Sequence, residues 1–376
     1  MKTKFKHLTL MATALIFGLS SCSNDDEIRV REGEGTPKSL FLKISGSSPA
    51  TYAEGSVQGT GPVTFSKGLL YFTDNDGVIK SHYTIGTEAT DDINIAELTT
   101  TGKAISNLPG DVSAVYIVGN TLDNLPTSGN ISAVKAVVLN VETQGTITDV
   151  SLYGETTSLT SPEDPENPDA YYTCTVNLAP VVARFELTDI KASGNVITGF
   201  KIAGIFIDNY FSQATVNGSV TAGNLKDNGA SAIAFNDNSE AYPESLKPFI
   251  YDWYTDLNAD NNTVTPPTGA VWGYNVFATA AGSAVPRIVI RLTDITTTTA
   301  SGVTYPNEQF ITIKGFKKEG GASLETIKAG EVYSISTGLL NFDETDLAGT
   351  PNLSTIDVEV TVTLANWVPV AVTPEL

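Results

Sequence analysis

Histidine and cysteine are nearly missing from this 376-residue chain, which has two of each. His7 and Cys22 sit at the extreme N-terminus, so the body of the chain holds only His82 and Cys174. A disulfide framework is therefore excluded. A Ser-His-Asp triad would have to use His82, which lies in the strand-like run Lys80-Ser81-His82-Tyr83. Cys174 falls in another strand-like run, Tyr171 to Val176, and reads as a buried inert thiol, because a nucleophilic cysteine needs a base beside it. HExxH, Walker-type phosphate loops and GxSxG are all absent. Acidic pairs are plentiful, but 42 carboxylates make some pairing inevitable and lend glycoside hydrolysis no support. The chain reads as a non-enzyme without a cofactor. Basic residues are scarce as well, 22 Lys and Arg against 42 Asp and Glu, a formal charge of −20. That balance excludes nucleic acid and anionic lipid as partners, since both require basic patches. Apart from the N-terminus, no run is apolar enough to span a bilayer.

What the N-terminus does contain is ordered. Lys2, Lys4 and Lys6 precede the short apolar run Leu8 to Leu19, and Leu19-Ser20-Ser21-Cys22 follows. This order resembles a bacterial lipobox, in which cleavage before the cysteine leaves its thiol to carry a diacylglyceryl group. Residues 1–21 are then a lipoprotein signal peptide and Cys22 is the lipidation site. Acyl chains anchor through burial of CH₂ groups at about 0.8 kcal/mol each. Ser23-Asn24-Asp25-Asp26-Glu27 begins an acidic tether, 22–38, and resembles the surface-export signals of certain Gram-negative lipoproteins. Removing residues 1–21 takes three lysines away, leaving 19 basic and 42 acidic side chains and a charge of −23. The expected location is the outer membrane, facing outward.

The other end alternates. Ile356, Val358, Val360, Val362 and Leu364 are interleaved with Asp357, Glu359, Thr361 and Thr363, and Trp367 follows. A period of two with one apolar face predicts a half-buried strand. A strand at a terminus needs an acceptor groove, in its own sheet or in another molecule. Upstream, Leu40, Leu42 and Ile44 alternate in a short first strand, and Val63 to Thr73 reads as a second, closed by Asp74-Asn75-Asp76-Gly77. Further strands are read at Ser113 to Gly119, Val181 to Leu187, Phe200 to Ile207, Ile288 to Leu292, Phe310 to Phe316 and Val332 to Ile335. The spacing of Ile131, Val134, Val138 and Val141 predicts one short helix. Ser161 to Asp169 has three prolines and four acids in nine residues and marks a boundary. The domains expected are 39–170 and 171–376, both all-β sandwiches with little helix.

Two clusters invite ligand readings. Asp256, Asn258 and Asp260 hold positions one, three and five of a calcium-loop-like run, but Asn261 and Pro267 replace the turn glycine and the bidentate acid. An Asx-rich turn without metal is the preferred reading. Phe249, Tyr251, Trp253, Tyr254 and Trp272 form an aromatic group that would either stack on sugars or pack beneath a loop.

The whole layout resembles the fimbrillin family, the type V pilins of the FimA type. The resemblance rests on motifs in order: lipobox and acidic tether; Ser39-Leu40-Phe41-Leu42-Lys43-Ile44-Ser45; Gly68-Leu69-Leu70-Tyr71-Phe72; Val115 to Asn120; Val181-Val182-Ala183-Arg184-Phe185-Glu186-Leu187; Glu331 to Ile335; and Val360 to Val370 with its tryptophan. The resemblance implies two transthyretin-like β-sandwiches in tandem, lipoprotein export and assembly into a surface fimbria with other fimbrillin subunits. It implies that a trypsin-like protease removes the strand carrying Leu40, Leu42 and Ile44. The strand carrying Ile356, Val358, Val360, Val362, Leu364 and Trp367 then fills a neighbour's groove. One departure stands out. Gly46 to Gly55 contains no arginine or lysine; the nearest are Lys43 and Lys67, with Arg29 and Arg31 upstream. A stalk subunit cut by another protease, an uncleaved lipid-bearing anchor and a tip or accessory subunit all remain open. The competing class is a monomeric, glycan-binding surface lipoprotein whose terminal strand completes its own sheet.

Overall fold

The computed structural model describes residues 36–45, 55–59, 63–121, 123–145, 149–163, 170–229, 235, 250–267, 270–279, 285–318, 322–351, 356–364 and 367–369. The signal peptide, Cys22, most of the tether, the 46–54 loop and Phe249 lie outside these residues.

The described chain is built of short strands. In order they are β1 Lys38–Ser45, β2 Gly55–Gly59, β3 Val63–Phe65, β4 Gly68–Thr73, β5 Ile79–Gly86, β6 Ile93–Asn94, β7 Lys103–Leu108, β8 Ala114–Gly119, β9 Val138–Asn140, β10 Leu152–Thr156, β11 Tyr172–Asn177 and β12 Ala179–Pro180. There follow β13 Val182–Leu187, β14 Ile190–Ala192, β15 Ile197–Asp208, β16 Tyr210–Phe211, β17 Gln213–Thr215, β18 Leu225–Lys226, β19 Tyr251–Asn258 and β20 Thr263–Val264. The last are β21 Ala270–Phe277, β22 Arg287–Thr297, β23 Gln309–Lys318, β24 Glu331–Ile335, β25 Asn341–Phe342, β26 Ile356–Leu364 and β27 Trp367–Pro369. The fold is all-β, and among the described residues no helix reaches seven residues.

Pairing sorts the strands into two groups. The N-terminal group has a three-stranded sheet, β11-β1-β7, and a six-stranded sheet, β12-β10-β8-β4-β5-β6. The C-terminal group is dominated by a nine-stranded sheet, β19-β15-β22-β23-β26-β24-β13-β21-β2. One continuous buried cluster runs through both groups, and a satellite of Phe206, Phe235, Val289 and Phe310 packs separately. The sequence placed the division at 170/171. Beyond that point β11 still lies beside β1 and β12 beside β10. The tether was read to Lys38, but Lys38 is already the first residue of β1.

Other differences have local causes. Val63 to Thr73 is two strands, broken at Ser66-Lys67, where the Ser66 N–H donates to Asn120 Oδ1 at 3.1 Å. The helix α1 spans only Ile131–Lys135, capped by Asn130, whose side chain accepts from the Ser132 N–H at 2.9 Å. It stops at Ala136, and Val138 sits on β9, 55% exposed, hydrogen-bonded to β17 rather than on a helix face. Asp256 and Asn258 lie on β19, followed by a tight hairpin in which Asp260 pairs Thr263 and Asn261 and Asn262 both adopt positive φ. This is a two-residue turn of the type that suits twisted strands. Spacings of i, i+2 and i+4 describe one face of a strand as well as a metal loop.

Candidate strand-exchange site

The first strand is central, not peripheral. β1 runs parallel to β11, with Leu40 opposite Tyr172, Leu42 opposite Cys174 and Ile44 opposite Val176. On its other side it runs antiparallel to β7, with Leu40 opposite Ile105 and Leu42 opposite Lys103. Leu40, Leu42 and Ile44 point inward and are at most 2% exposed. Burying three such side chains contributes on the order of 5–9 kcal/mol before chain entropy is counted.

Polar clasps hold both ends. The Lys38 ammonium donates to the Val112 carbonyl at 3.0 Å and sits 5.0 Å from the centre of the Tyr172 ring. Burial lowers the Lys38 pKa, against the opposing pull of Asp111. At the far end the Ser45 hydroxyl donates to Asn177. Between them the outward ring of Phe41 lies over Gly102, where a Cβ would come within 2.4 Å of Phe41 Cζ. Gly102 also has φ of 85°, so both space and backbone require glycine there. A cleft of about 520 Å³ opens on this outer side, lined by Phe41, Lys43, Cys174 and the hydroxyls of Thr156, Ser158, Thr160, Thr173 and Thr175. Cys174 is 7% exposed, and burial pushes its thiol up to about 12.

The tail also has one parallel and one antiparallel neighbour, met along successive halves. The first half of β26 runs parallel to β23, from Ile313 opposite Ile356 to Lys318 opposite Val360. Its second half runs antiparallel to β24, from Ser334 opposite Thr361 to Glu331 opposite Leu364. Val360 is fully buried. β26 therefore joins two halves of the nine-stranded sheet. β27 continues into the N-terminal group, pairing Trp367 with Val63 and Pro369 with Phe65. Sequence reading did not reveal that β27 lies on β3, or that β2 crosses to β21. Neither run has a composition that names its partner.

Beside β24, the Val182–Leu187 strand buries both faces. Val181, Ala183, Phe185 and Leu187 alternate with Val182, Arg184, Glu186 and Thr188, which reads as one inward and one outward face, yet Arg184 is fully buried and pairs with Glu186 at 2.8 Å. The Ser334 hydroxyl donates to the same carboxylate at 3.0 Å. The guanidinium fills the space beside Gly273, where a Cβ would lie 1.9 Å from an Arg184 Nη atom.

The aromatic group is divided. Tyr251 and Trp253 pack edge-on against each other and near Phe206, with centroids 4.9–6.3 Å apart. Trp272 is fully buried in the main core, and Tyr254 packs on that core from the opposite face of β19. These rings do not share one exposed plane. Among the described residues no three His, Cys, Asp or Glu side chains are placed to hold a metal.

No protein-family model matches the chain. No curated protein matches it in sequence. Solved structures do. The fimbrilin FimA of Porphyromonas gingivalis superposes with a TM-score of 0.55 at 13% identity, over 89% of this chain and 99% of that one. The fold is fimbrillin-like. A candidate cell adhesion protein of Bacteroides eggerthii gives 0.53 at 18% identity, covering 89% and 97%. Another, from Parabacteroides distasonis, gives 0.52 at 14%, covering 90% and 99%. Nearly whole chains therefore share the fimbrillin-like architecture at identities that speak to fold alone.

Proposed function

We propose that this chain is a structural subunit of a cell-surface fimbria, exported as a lipoprotein on Cys22 and assembled by insertion of its C-terminal strand into a neighbouring subunit. The observation that supports this reading best is the match between the two slots. Each of β1 and β26 has one parallel and one antiparallel neighbour, β1 on both sides of Leu40 to Leu42 and β26 along successive halves. A strand leaving the second slot for a vacated first slot in another subunit regains the same kinds of backbone ladder. The five aliphatic side chains from Ile356 to Leu364 carry roughly 7–15 kcal/mol of gross burial, offset in part by ordering the donated segment. Insertion also covers the edges of β11 and β7, which otherwise invite uncontrolled pairing. Its partners are other fimbrial subunits, and the lipid holds the precursor to the outer membrane.

The absence of a basic residue between 46 and 55 favours an anchor that keeps β1, or a stalk subunit matured by a protease that does not require arginine. Intact mass and N-terminal sequencing of the protein from the native cell surface decide between them. A chain starting within residues 46–60 identifies a polymerising subunit. A chain starting at acylated Cys22 identifies the anchor. A protein recovered unlipidated, with β1 intact and never co-purifying with fimbriae, overturns the proposal.

A further inference from the structure

The β1 slot also says what kind of strand fits it, and this rests on the exchange reading above. Its three inward positions are shaped by Leu40, Leu42 and Ile44, all essentially inaccessible. Its outward position above Gly102 is occupied by the flat ring of Phe41. A replacement strand must therefore supply three large aliphatic side chains on alternate positions, with an aromatic between the first and second.

The chain's own tail does not supply them. Its alternating apolar series is Ile356, Val358, Val360, Val362, Leu364. In every three-position register at least two valines face positions shaped by leucine or isoleucine, and each is one methylene short. Close-packed interiors do not close over such gaps without loss. The residue falling above Gly102 is Asp357, Glu359 or Thr361, depending on register, and none is aromatic. The valines and the missing ring are independent misfits, and they point the same way.

We infer that the β1 slot of this chain is built for the C-terminal strand of a different subunit, one with leucine or isoleucine at three alternate positions and an aromatic after the first. In a fimbria this subunit then has unlike neighbours at the slot, and does not polymerise with its own copies through it.

The test uses the full-length chain with a specific protease site placed within residues 46–54, nicked after folding. Three fluorescent peptides compete for the slot. They are residues 37–45, the native tail segment 355–365, and that segment carrying Val360→Leu, Thr361→Phe and Val362→Leu. The substituted segment is expected to displace β1 at a concentration roughly tenfold or more below that of the native segment. Equal or tighter binding of the native segment overturns the inference and identifies a second copy as the partner, leaving the exchange reading intact. If 37–45 rebinds and neither tail segment does, the exchange reading itself fails. If not even 37–45 rebinds, the slot does not reopen and both fall.

Discussion

β1 and β26 each have one parallel and one antiparallel neighbour, set in very different surroundings. β1 is flanked by two edge strands in a sheet of three, so its departure opens one groove and leaves the six-stranded sheet whole. β26 is the fifth of nine strands, and its departure divides the sheet into β19-β15-β22-β23 and β24-β13-β21-β2. A strand can be well buried and still be separable, if the architecture around it does not depend on it for continuity. Burial measures how tightly a strand is held, and topology measures what else falls when it goes.

The sharpest way to break this comparison is to delete each strand. Removing residues 356–376 parts the two halves of the nine-stranded sheet and is expected to lower the urea midpoint the most, with a folded core remaining, as donation of the strand requires. Removing residues 1–45 is expected to lower the urea midpoint while leaving a single folded transition. The pair is read by circular dichroism melts of both truncations beside the parent. A stable tail-deleted chain would show that the nine-stranded sheet survives as two halves.

Single side chains sharpen it further. Leu42→Ala removes most of a fully buried leucine and is expected to lose about 2–5 kcal/mol, whereas Val360→Ala removes less volume and should lose about 1–3 kcal/mol. Denaturant titration of both measures the difference. Equal losses would mean that the β1 slot relaxes around the cavity and is softer than its packing indicates.

The smallest expected effect is electrostatic and lies at the far edge of the larger sheet. Asp208 is fully buried, accepts from the Asn228 N–H at 2.9 Å and pairs with Arg287 at 2.9 Å, yet burial outweighs these and raises its pKa. A carboxyl that holds its proton more tightly when folded favours the folded state below its unfolded pKa. That contribution is lost as pH rises through the higher folded value. Asp208→Asn should therefore flatten the fall in stability above about pH 4. Melting temperatures of both forms between pH 3.5 and about 7 check this, and parallel curves would refute it.

How much of this was legible in the sequence follows from what each signal encodes. Alternation located β26 at 356–364, because a period of two reports which side chains share a face. It says nothing of the neighbour on either side, and so gave no hint that the tail lies between β23 and β24 or that Trp367 continues onto β3. Leu40, Leu42 and Ile44 were legible as an inward face, while the partners that make β1 central lie more than sixty residues away in sequence. Arg184 misled for a related reason. A charged residue on a strand reads as solvent-facing, unless the glycine across the ladder that makes room for it is known to be its neighbour. The hairpin at Asn261-Asn262 carries no glycine, the usual signal for positive φ, and its acids mimicked a metal loop instead.

β26 is paired to β23 along its first half and to β24 along its second, with bonds directed across the strand. Pulled sideways from one end, such a strand would unzip one bond at a time. Pulled along its own axis, it must slide past β23 and β24 with every bond in the ladders strained at once. A chain held by this strand is thus weak to peeling and strong to stretching.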